Sequence, residues 1–313
     1  KLQKRRQRQK TGLMNYKEVY DYGVSQLAQA GIEENKLDAR LLLEHVCHTD
    51  RNDLLVHGDR EVPAGEQNLY REYIGKRKMH IPLQHITGEQ EFMGLVFRIN
   101  NHVLIPRQDT EILVEEVLRH LHDGMKILDM CTGSGCILLS LLHYSNGCTG
   151  VGTDISQEAL TVAKENGAKL MEQDGTEKES EGAVFRFVKS DLFENVEGKY
   201  DVIVSNPPYI PTGVIPSLME EVRDYEPREA LDGKEDGLFF YRRISSDARG
   251  FLKGGGYLFF EIGYDQAKEV SHIMESDGYR DVTVVKDFAG LDRVVYGWSG
   301  RAGLCNDMGK GRP

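Results

Sequence analysis

The sequence predicts an α/β protein: a doubly wound, seven-stranded, mostly parallel sheet, preceded by a small N-terminal helical domain and a β-hairpin connector. Three features carry that expectation. From Pro106 onward, short apolar runs alternate with stretches of helical periodicity. Residues 15–88 show helical periodicity alone. Between them, residues 89–105 alternate apolar and polar positions.

Taken in order, residues 1–14 read as a disordered basic leader, with six Lys and Arg and no acid in the first ten. In the run from Tyr16 to Ile32, Val19, Tyr22, Leu27 and Ala30 recur near a 3.6-residue period, and Gly31 supplies a stop. Residues 37–48 and 64–78 read as two more amphipathic helices. They complete a module of about sixty residues, near the smallest size that folds alone. The alternation from Gln90 to Ile105 is centred on Asn100-Asn101, a hairpin signal, and reads as a connector between two domains.

The domain expected over 106–299 has a strand at 126–130, a helix at 136–144, a strand at 149–154 and a helix at 157–170. After a polar insertion at 171–183 come strands at 184–191 and 200–206. A helix within 236–252 leads to a strand at 256–263, a helix at 264–276 and a closing pair of strands, 281–288 and 292–298. Strands separated by helices need right-handed crossovers and lie parallel. The closing pair has only a short connection, so the last strand is expected antiparallel at the sheet edge. Residues 300–313 read as a disordered tail.

The 313 residues carry 39 Lys and Arg against 50 Asp and Glu, a formal charge of −11; without the six positive charges of the leader the rest carries −17. A duplex-binding face needs clustered Lys and Arg to neutralise phosphates, so the body is not expected to bind duplex nucleic acid. Five cysteines without a C-x-x-C pair, and no signal peptide in view, point to a reducing cytosol or organelle interior, with the cytoplasm the expected location. His45, Cys47 and His48 share one short helix at spacings that cannot all face one ion, so no metal is expected. Charge interrupts every apolar run before the roughly 18–20 residues of a membrane span, and a monomer away from membranes is expected.

Two strand ends carry the chemistry, because open parallel sheets bind ligands where strand order reverses. The first strand ends in Asp129 and runs into Cys131-Thr132-Gly133-Ser134-Gly135 before a helix. Gly133 and Gly135 let the backbone turn sharply and approach a ligand. Asp154, nineteen residues after Gly135, ends the second strand, where a carboxylate can take both hydroxyls of a ribose. A dinucleotide fingerprint wants a third Gly where Leu138 stands, and no basic residue in the loop meets a pyrophosphate. S-adenosylmethionine, a nucleoside without phosphate, suits this site. Asp129 is expected near its charged methionine end, Asp191 near the adenine amino group, and Leu192 packed on the ring. Taken alone, the loop is equally a tight turn with Asp154 capping the next helix.

The fourth strand runs into Asn206-Pro207-Pro208-Tyr209. Two prolines end the sheet, hold the chain extended and contribute carbonyls with no N–H of their own. The Asn206 side-chain carbonyl and the Pro207 carbonyl make two acceptors for a planar NH2 group. Such a nitrogen is a poor nucleophile, and two acceptors orient it toward an electrophile while stabilising its developing positive charge. A sulfonium methyl is that electrophile, and Tyr209 is expected to stack on the planar group.

These residues resemble the glutamine methyltransferases of peptide chain release factors, the PrmC/HemK family of class I S-adenosylmethionine-dependent methyltransferases with a Rossmann-like fold. The resemblance runs from about Tyr16 to Trp298. It rests on residues 105–111, on Asp129 to Ile137, on Asp154, on Asn206 to Ile210, on Tyr225-Glu226-Pro227-Arg228 with Ala230-Leu231-Asp232-Gly233, and on Ala289-Gly290 with Asp292-Arg293. It implies an enzyme that methylates the side-chain amide nitrogen of the glutamine in a release factor's Gly-Gly-Gln loop, with S-adenosylhomocysteine as product. Cys131, Thr132, Gly133, Ser134, Gly135, Asp154, Leu192 and Asn206 would contact the cofactor, and Asn206, Pro207, Pro208 and Tyr209 the glutamine. Two residues depart from the pattern: Cys131 where Gly is common and Gln108 where Pro is common. Arg107, Asp109 and Glu111 read as a helix-start network rather than as catalysts. The tetrapeptide alone also fits amino-methyltransferases of adenine or cytosine in nucleic acid, and a non-catalytic nucleoside-binding module is the further alternative.

Overall fold

The structure of the protein, a computed structural model, describes residues 13–173 and 184–300. The expectations for the leader, the insertion and the tail therefore fall almost wholly outside the described residues. The described residues form two units, one of residues 13–88 with 219–225, the other of the described residues from 89 to 218 with 226–300.

The first unit is helical: α1 (Tyr16–Gln29), α2 (Asn35–Cys47), α3 (Arg51–Val56), α4 (Ala64–Arg77) and α5 (Leu83–Thr87). Helix α1 starts at a capping box in which Asn15 Oδ1 accepts from the Glu18 N–H and Glu18 Oε2 accepts from the Asn15 N–H, both at 2.9 Å. Its buried face, Tyr16, Val19, Gly23 and Leu27, meets Leu42, Leu43, Tyr70 and Ile74 in one apolar cluster. The short helix Glu220–Tyr225 belongs to this unit. The buried Arg77 guanidinium pairs with Asp38 at 2.7 Å and with Glu221, and the Tyr225 hydroxyl donates to the Met79 carbonyl at 2.6 Å. Nothing in the local sequence announces that attachment, because its partners lie 144 and 146 residues away along the chain.

The second unit opens with a hairpin, β1 (Glu89–Phe92) and β2 (Leu95–Arg98). Its turn is Met93-Gly94, not the expected Asn100-Asn101. Both turn residues have positive φ (+53° and +72°), as the tight hairpin turn whose twist matches its strands requires. Met93 is held there from two sides: its N–H donates to Glu111 Oε1 and its carbonyl accepts from the Tyr144 hydroxyl, each at 2.6 Å. Asn100 forms a separate turn, its Oδ1 accepting from the His102 N–H at 2.9 Å.

Next come α6 (Gln108–His120), β3 (Lys126–Met130), α7 (Cys136–His143), β4 (Thr149–Asp154), α8 (Gln157–Gln173), β5 (Phe185–Lys189) and β6 (Tyr200–Ser205). The chain closes with α9 (Phe239–Ala248), β7 (Leu252–Glu261), α10 (Ala267–Ser276), β8 (Arg280–Lys286) and β9 (Asp292–Trp298). The seven strands lie in the order β5-β4-β3-β6-β7-β9-β8, with β9 antiparallel to both neighbours. The central strands are buried on both faces, so their sequences are continuous apolar runs. Val202 and Val204 point to one core cluster, and Ile203 to the other. The last strand is antiparallel as expected, but it is not the edge. The crossover through α10 sets β8 one strand beyond β7, and the returning β9 fills the slot between them. The burial difference records this: Val294 and Val295 of β9 are fully buried, while β8 is largely exposed.

The hairpin packs Phe92 and Phe97 into the sheet's core cluster, so it is a layer of this unit. Asn166, fully buried on α8, binds it there. Its Oδ1 accepts from the Arg98 N–H at 2.7 Å, and its Nδ2 donates to the carbonyls of Arg98 (3.1 Å) and Ser134 (2.9 Å). Asn166→Ala strips partners from three backbone groups, and the expected loss is roughly 2–3 kcal/mol of unfolding free energy, read from urea denaturation. An unchanged midpoint would contradict the clamp.

Candidate active site

From β3 the chain steps outward to β4 and β5, then returns to place β6 on the other side of β3. Connections on either side of that point diverge and leave a crevice at the carboxyl ends of the strands. The second unit has a cavity there of about 440 Å³, within the roughly 300–1,000 Å³ of small-molecule sites.

One wall is the loop from Cys131 to Gly135. Gly133 and Gly135 have φ of +53° and +80°. A Cβ on Gly135 would stand 3.1–3.2 Å from Phe187, Ala163 and Leu139, so this residue is constrained by space as well as by conformation. Cys131 takes φ +62°, a left-handed conformation that costs a non-glycine residue about 1–2 kcal/mol, which is a physical reason for glycine there. Thr132, Gly133 and Ser134 line the cavity with it; Gly135 does not.

Asp129, expected near a cofactor's charged end, is not among the residues that line the cavity. It is fully buried beneath the loop, where Oδ2 accepts from the Thr132 hydroxyl at 2.6 Å and from the Leu138 N–H at 3.3 Å. Burial pushes its pKa up to about 7 despite both hydrogen bonds. Its work is to tie the loop to the strand.

Asp154 ends β4 and does line the cavity. Its Oδ2 accepts from the Gly133 N–H and its Oδ1 from the Ser156 N–H, both at 2.9 Å. Burial raises its pKa against those backbone donors. The following helix is capped by Ser156, whose Oγ accepts from the Ala159 N–H at 3.1 Å, so Asp154 is not the cap. Each carboxylate oxygen keeps a lone pair for a ligand hydroxyl. Asp191 and Leu192 complete this side. Asp191 is half exposed and accepts from Arg243 Nη1 at 3.3 Å; Leu192 sits at φ +47° with its carbonyl accepting from Ser190 Oγ at 2.7 Å.

On the other side, the Ser205 hydroxyl donates to the Met130 carbonyl at 2.7 Å and pins β6 to β3 where the crevice opens. Asn206 and Pro208 line the cavity, whereas Pro207 and Tyr209 lie outside its lining. Residues 230–233 back the tetrapeptide: the Ile210 N–H donates to the Leu231 carbonyl at 3.0 Å and the Gly233 N–H to the Ile210 carbonyl at 2.8 Å. A Cβ on Gly233 would come within 2.7–2.8 Å of backbone atoms of Tyr209 and Gly237. Gly233→Ala therefore shifts the Asn206–Tyr209 loop. Misplacement on that scale is expected to lower kcat about 10- to 100-fold with cofactor affinity retained, a split that steady-state kinetics and calorimetry resolve.

Segments remote in sequence meet at the rim as charge pairs. Arg107 pairs with the buried Glu226, Arg293 with Asp109 and Asp287 at 3.1 Å each, and Glu111 holds the hairpin turn. Arg107, Asp109 and Glu111 are thus structural ties at the start of α6. Sequence reasoning gave no role to two residues beside Asn206: Thr110, within the motif at 105–111, whose Oγ1 lies 3.4 Å from Asn206 Nδ2, and Glu261 at the end of β7. A signal for Glu261 existed. A lone carboxylate closes the apolar run of residues 257–260, as Asp129 closes its own.

A glycine loop, a carboxylate at the end of the next strand and an Asn-Pro-Pro-Tyr strand end around one cavity, on a seven-stranded sheet of this order, are the arrangement of a class I S-adenosylmethionine-dependent methyltransferase. Residues 18–88 match the family described as PrmC N-terminal domain, and residues 107–220 match the methyltransferase small domain. A release factor glutamine methyltransferase of Clostridium acetobutylicum is 42% identical over 90% of this chain and 98% of its own; one from Moorella thermoacetica is 41% identical over 90% and 97%. Among solved structures, the release-factor-specific protein-(glutamine-N5) methyltransferase of Alicyclobacillus acidocaldarius is 30% identical, covering 65% of this chain and 99% of that one with a TM-score of 0.38. The chain belongs to the release factor glutamine methyltransferase family. Among the described residues, no helix is long and apolar enough to cross a membrane.

Proposed function

We propose that this protein transfers a methyl group from S-adenosylmethionine to the side-chain amide nitrogen of the glutamine in the Gly-Gly-Gln loop of peptide chain release factors, as a cytoplasmic monomer and without a metal. The observation that carries the reading is an uncharged acceptor, Asn206, facing the same cavity as Asp154 across the strand-order reversal. The cavity suits the cofactor on its own terms. Asp154 has spare lone pairs for the ribose hydroxyls, the Cys131–Ser134 backbone offers close approach, and Asp191 and Leu192 offer an acceptor and an apolar face for adenine. When bound, that cofactor supplies an electrophilic methyl on a positively charged sulfur.

The chain's own part is orientation. Asn206 Oδ1 and the Pro207 carbonyl take the two N–H groups of the target amide, aim its nitrogen at the methyl and stabilise the positive charge that develops there. Tyr209 stacks against the amide plane. The amide proton leaves after transfer, so no base acts in the slow step. The N-terminal helical unit grips the release factor away from its loop; Leu55 and Val56, 72% and 73% exposed on α3, offer it apolar surface.

Incubation with methyl-labelled cofactor and, separately, a release factor and bulk nucleic acid tests this reading. Label is expected in the release factor alone. Label in nucleic acid alone would replace the reading with a base methyltransferase, and label in neither would leave a binding module.

A further inference from the structure

An asparagine that must present its carbonyl to a substrate has a problem of symmetry. Its amide can turn over, exchanging Oδ1 for Nδ2 with almost no change in shape, and a turned Asn206 would offer donors where the target glutamine needs acceptors. The surroundings of Asn206 remove that freedom.

Three elements converge beside it, and Thr110 lines the cavity with Asn206. Asn206 follows β6, Glu261 ends the neighbouring β7, and Thr110 lies in the first turn of α6. β6 and β7 pair in parallel with Ser205 opposite Phe260, which sets Asn206 and Glu261 side by side. Thr110 and Glu261 are each 2% exposed. The Asn206 Nδ2 donates to Thr110 Oγ1 at 3.4 Å, and the Glu261 carboxylate lies near enough to Thr110 and Asn206 for both to favour its charged form. Its Oε2 meets no donor among the described residues.

We propose that Glu261 and Thr110 are positioning residues that lock the amide of Asn206 with its carbonyl facing the target glutamine. The inference rests on the functional reading above and follows from proton counting. A carboxylate has no proton to give, so the single Thr110 proton goes to Glu261. Thr110 Oγ1 then has only lone pairs left for Asn206, and so does Glu261. Both neighbours demand a donor, and Asn206 must turn its NH2 to them. Its Oδ1 is left facing the cavity.

The lock fails when Glu261 is protonated, because its O–H can then donate and the demand for a donor at Asn206 is lost. Burial pushes the Glu261 pKa up to about 7, against Thr110, Asn206 and the positive Arg293. The other groups facing it are Asp109 on α6, Tyr209 beyond β6, Tyr241 on α9 and Cys136 at the start of α7. Asp129 titrates in the same range, so only a variant at Glu261 assigns the effect.

The test is release factor methylation by the full chain, wild type against Thr110→Val, Thr110→Ser and Glu261→Gln, with cofactor affinity measured by calorimetry. Valine keeps the shape of threonine and removes the acceptor; kcat is expected to fall about tenfold, about 1.4 kcal/mol, while the release factor KM and the cofactor Kd hold. Serine restores the hydroxyl, and kcat with it. In the wild type kcat is expected to fall as pH drops through about 7. Glu261→Gln supplies a donor at every pH, so its kcat is low and that acid limb is absent. Full kcat in Thr110→Val with methylation intact in the wild type would overturn the lock alone, as would an unaltered acid limb in Glu261→Gln. A cofactor Kd lost together with kcat in every variant would make these residues structural. No methylation by the wild type would overturn the functional reading and this inference together.

Discussion

Asn206→Ala is expected to lower kcat for release factor methylation by about 10²- to 10³-fold, the range seen when one preorganised group is removed from a developing charge. The release factor KM and the cofactor Kd are expected to change little. The reason is where the interaction acts. A glutamine amide is nearly neutral in the ground state, so one lost acceptor hardly weakens its binding. As its nitrogen takes the methyl, the N–H groups become strongly acidic and the Asn206 carbonyl matters far more. Truncation also leaves Thr110 and Glu261 beside it without their amide donor. If the variant kept near-normal turnover, or lost only KM, the orienting mechanism would be wrong.

Asp154→Ala is expected to act on the other side of the crevice and in the opposite kinetic sense. Losing charge-assisted hydrogen bonds of roughly 1.5–3 kcal/mol weakens cofactor binding about 10- to 100-fold. Part of that loss is indirect, since the carboxylate also holds the Gly133 N–H and so shapes the glycine loop before any ligand arrives. With saturating cofactor, kcat should recover much of its wild-type value. Calorimetry showing unchanged affinity would contradict the assignment of Asp154 to the ribose.

The contrast between these residues and the ones missed has a physical basis. The place of Asp154 and Asn206 at the cavity was legible because a polar residue closing an apolar strand, at a known place in the sheet order, has few other reasons to be there. Asp129 met the same pattern yet serves the loop from below; burial, which separates the two cases, is not written in the local sequence. Glu261 met it too and went unread, because no glycine loop or proline pair follows to mark it. The pairings of Thr110, Asn166 and Glu226 were beyond reach for another reason. Their partners are 96, 68 and 119 residues distant, and one sequence carries no record of such pairings. The strand order shows the same limit: the antiparallel sense of β9 follows from its short connection, but its place between β7 and β8 depends on where α10 returns the chain.

The central claim is that one nitrogen, the side-chain amide of a single glutamine, receives the methyl. It is tested most directly by incubating an unmethylated release factor with the protein and S-adenosylmethionine and then fragmenting the Gly-Gly-Gln peptide by tandem mass spectrometry. The account predicts one added methyl on the glutamine side chain, present with the wild type and nearly absent with Asn206→Ala. A methyl on any other residue, or an unmodified peptide beside consumed cofactor, would contradict it.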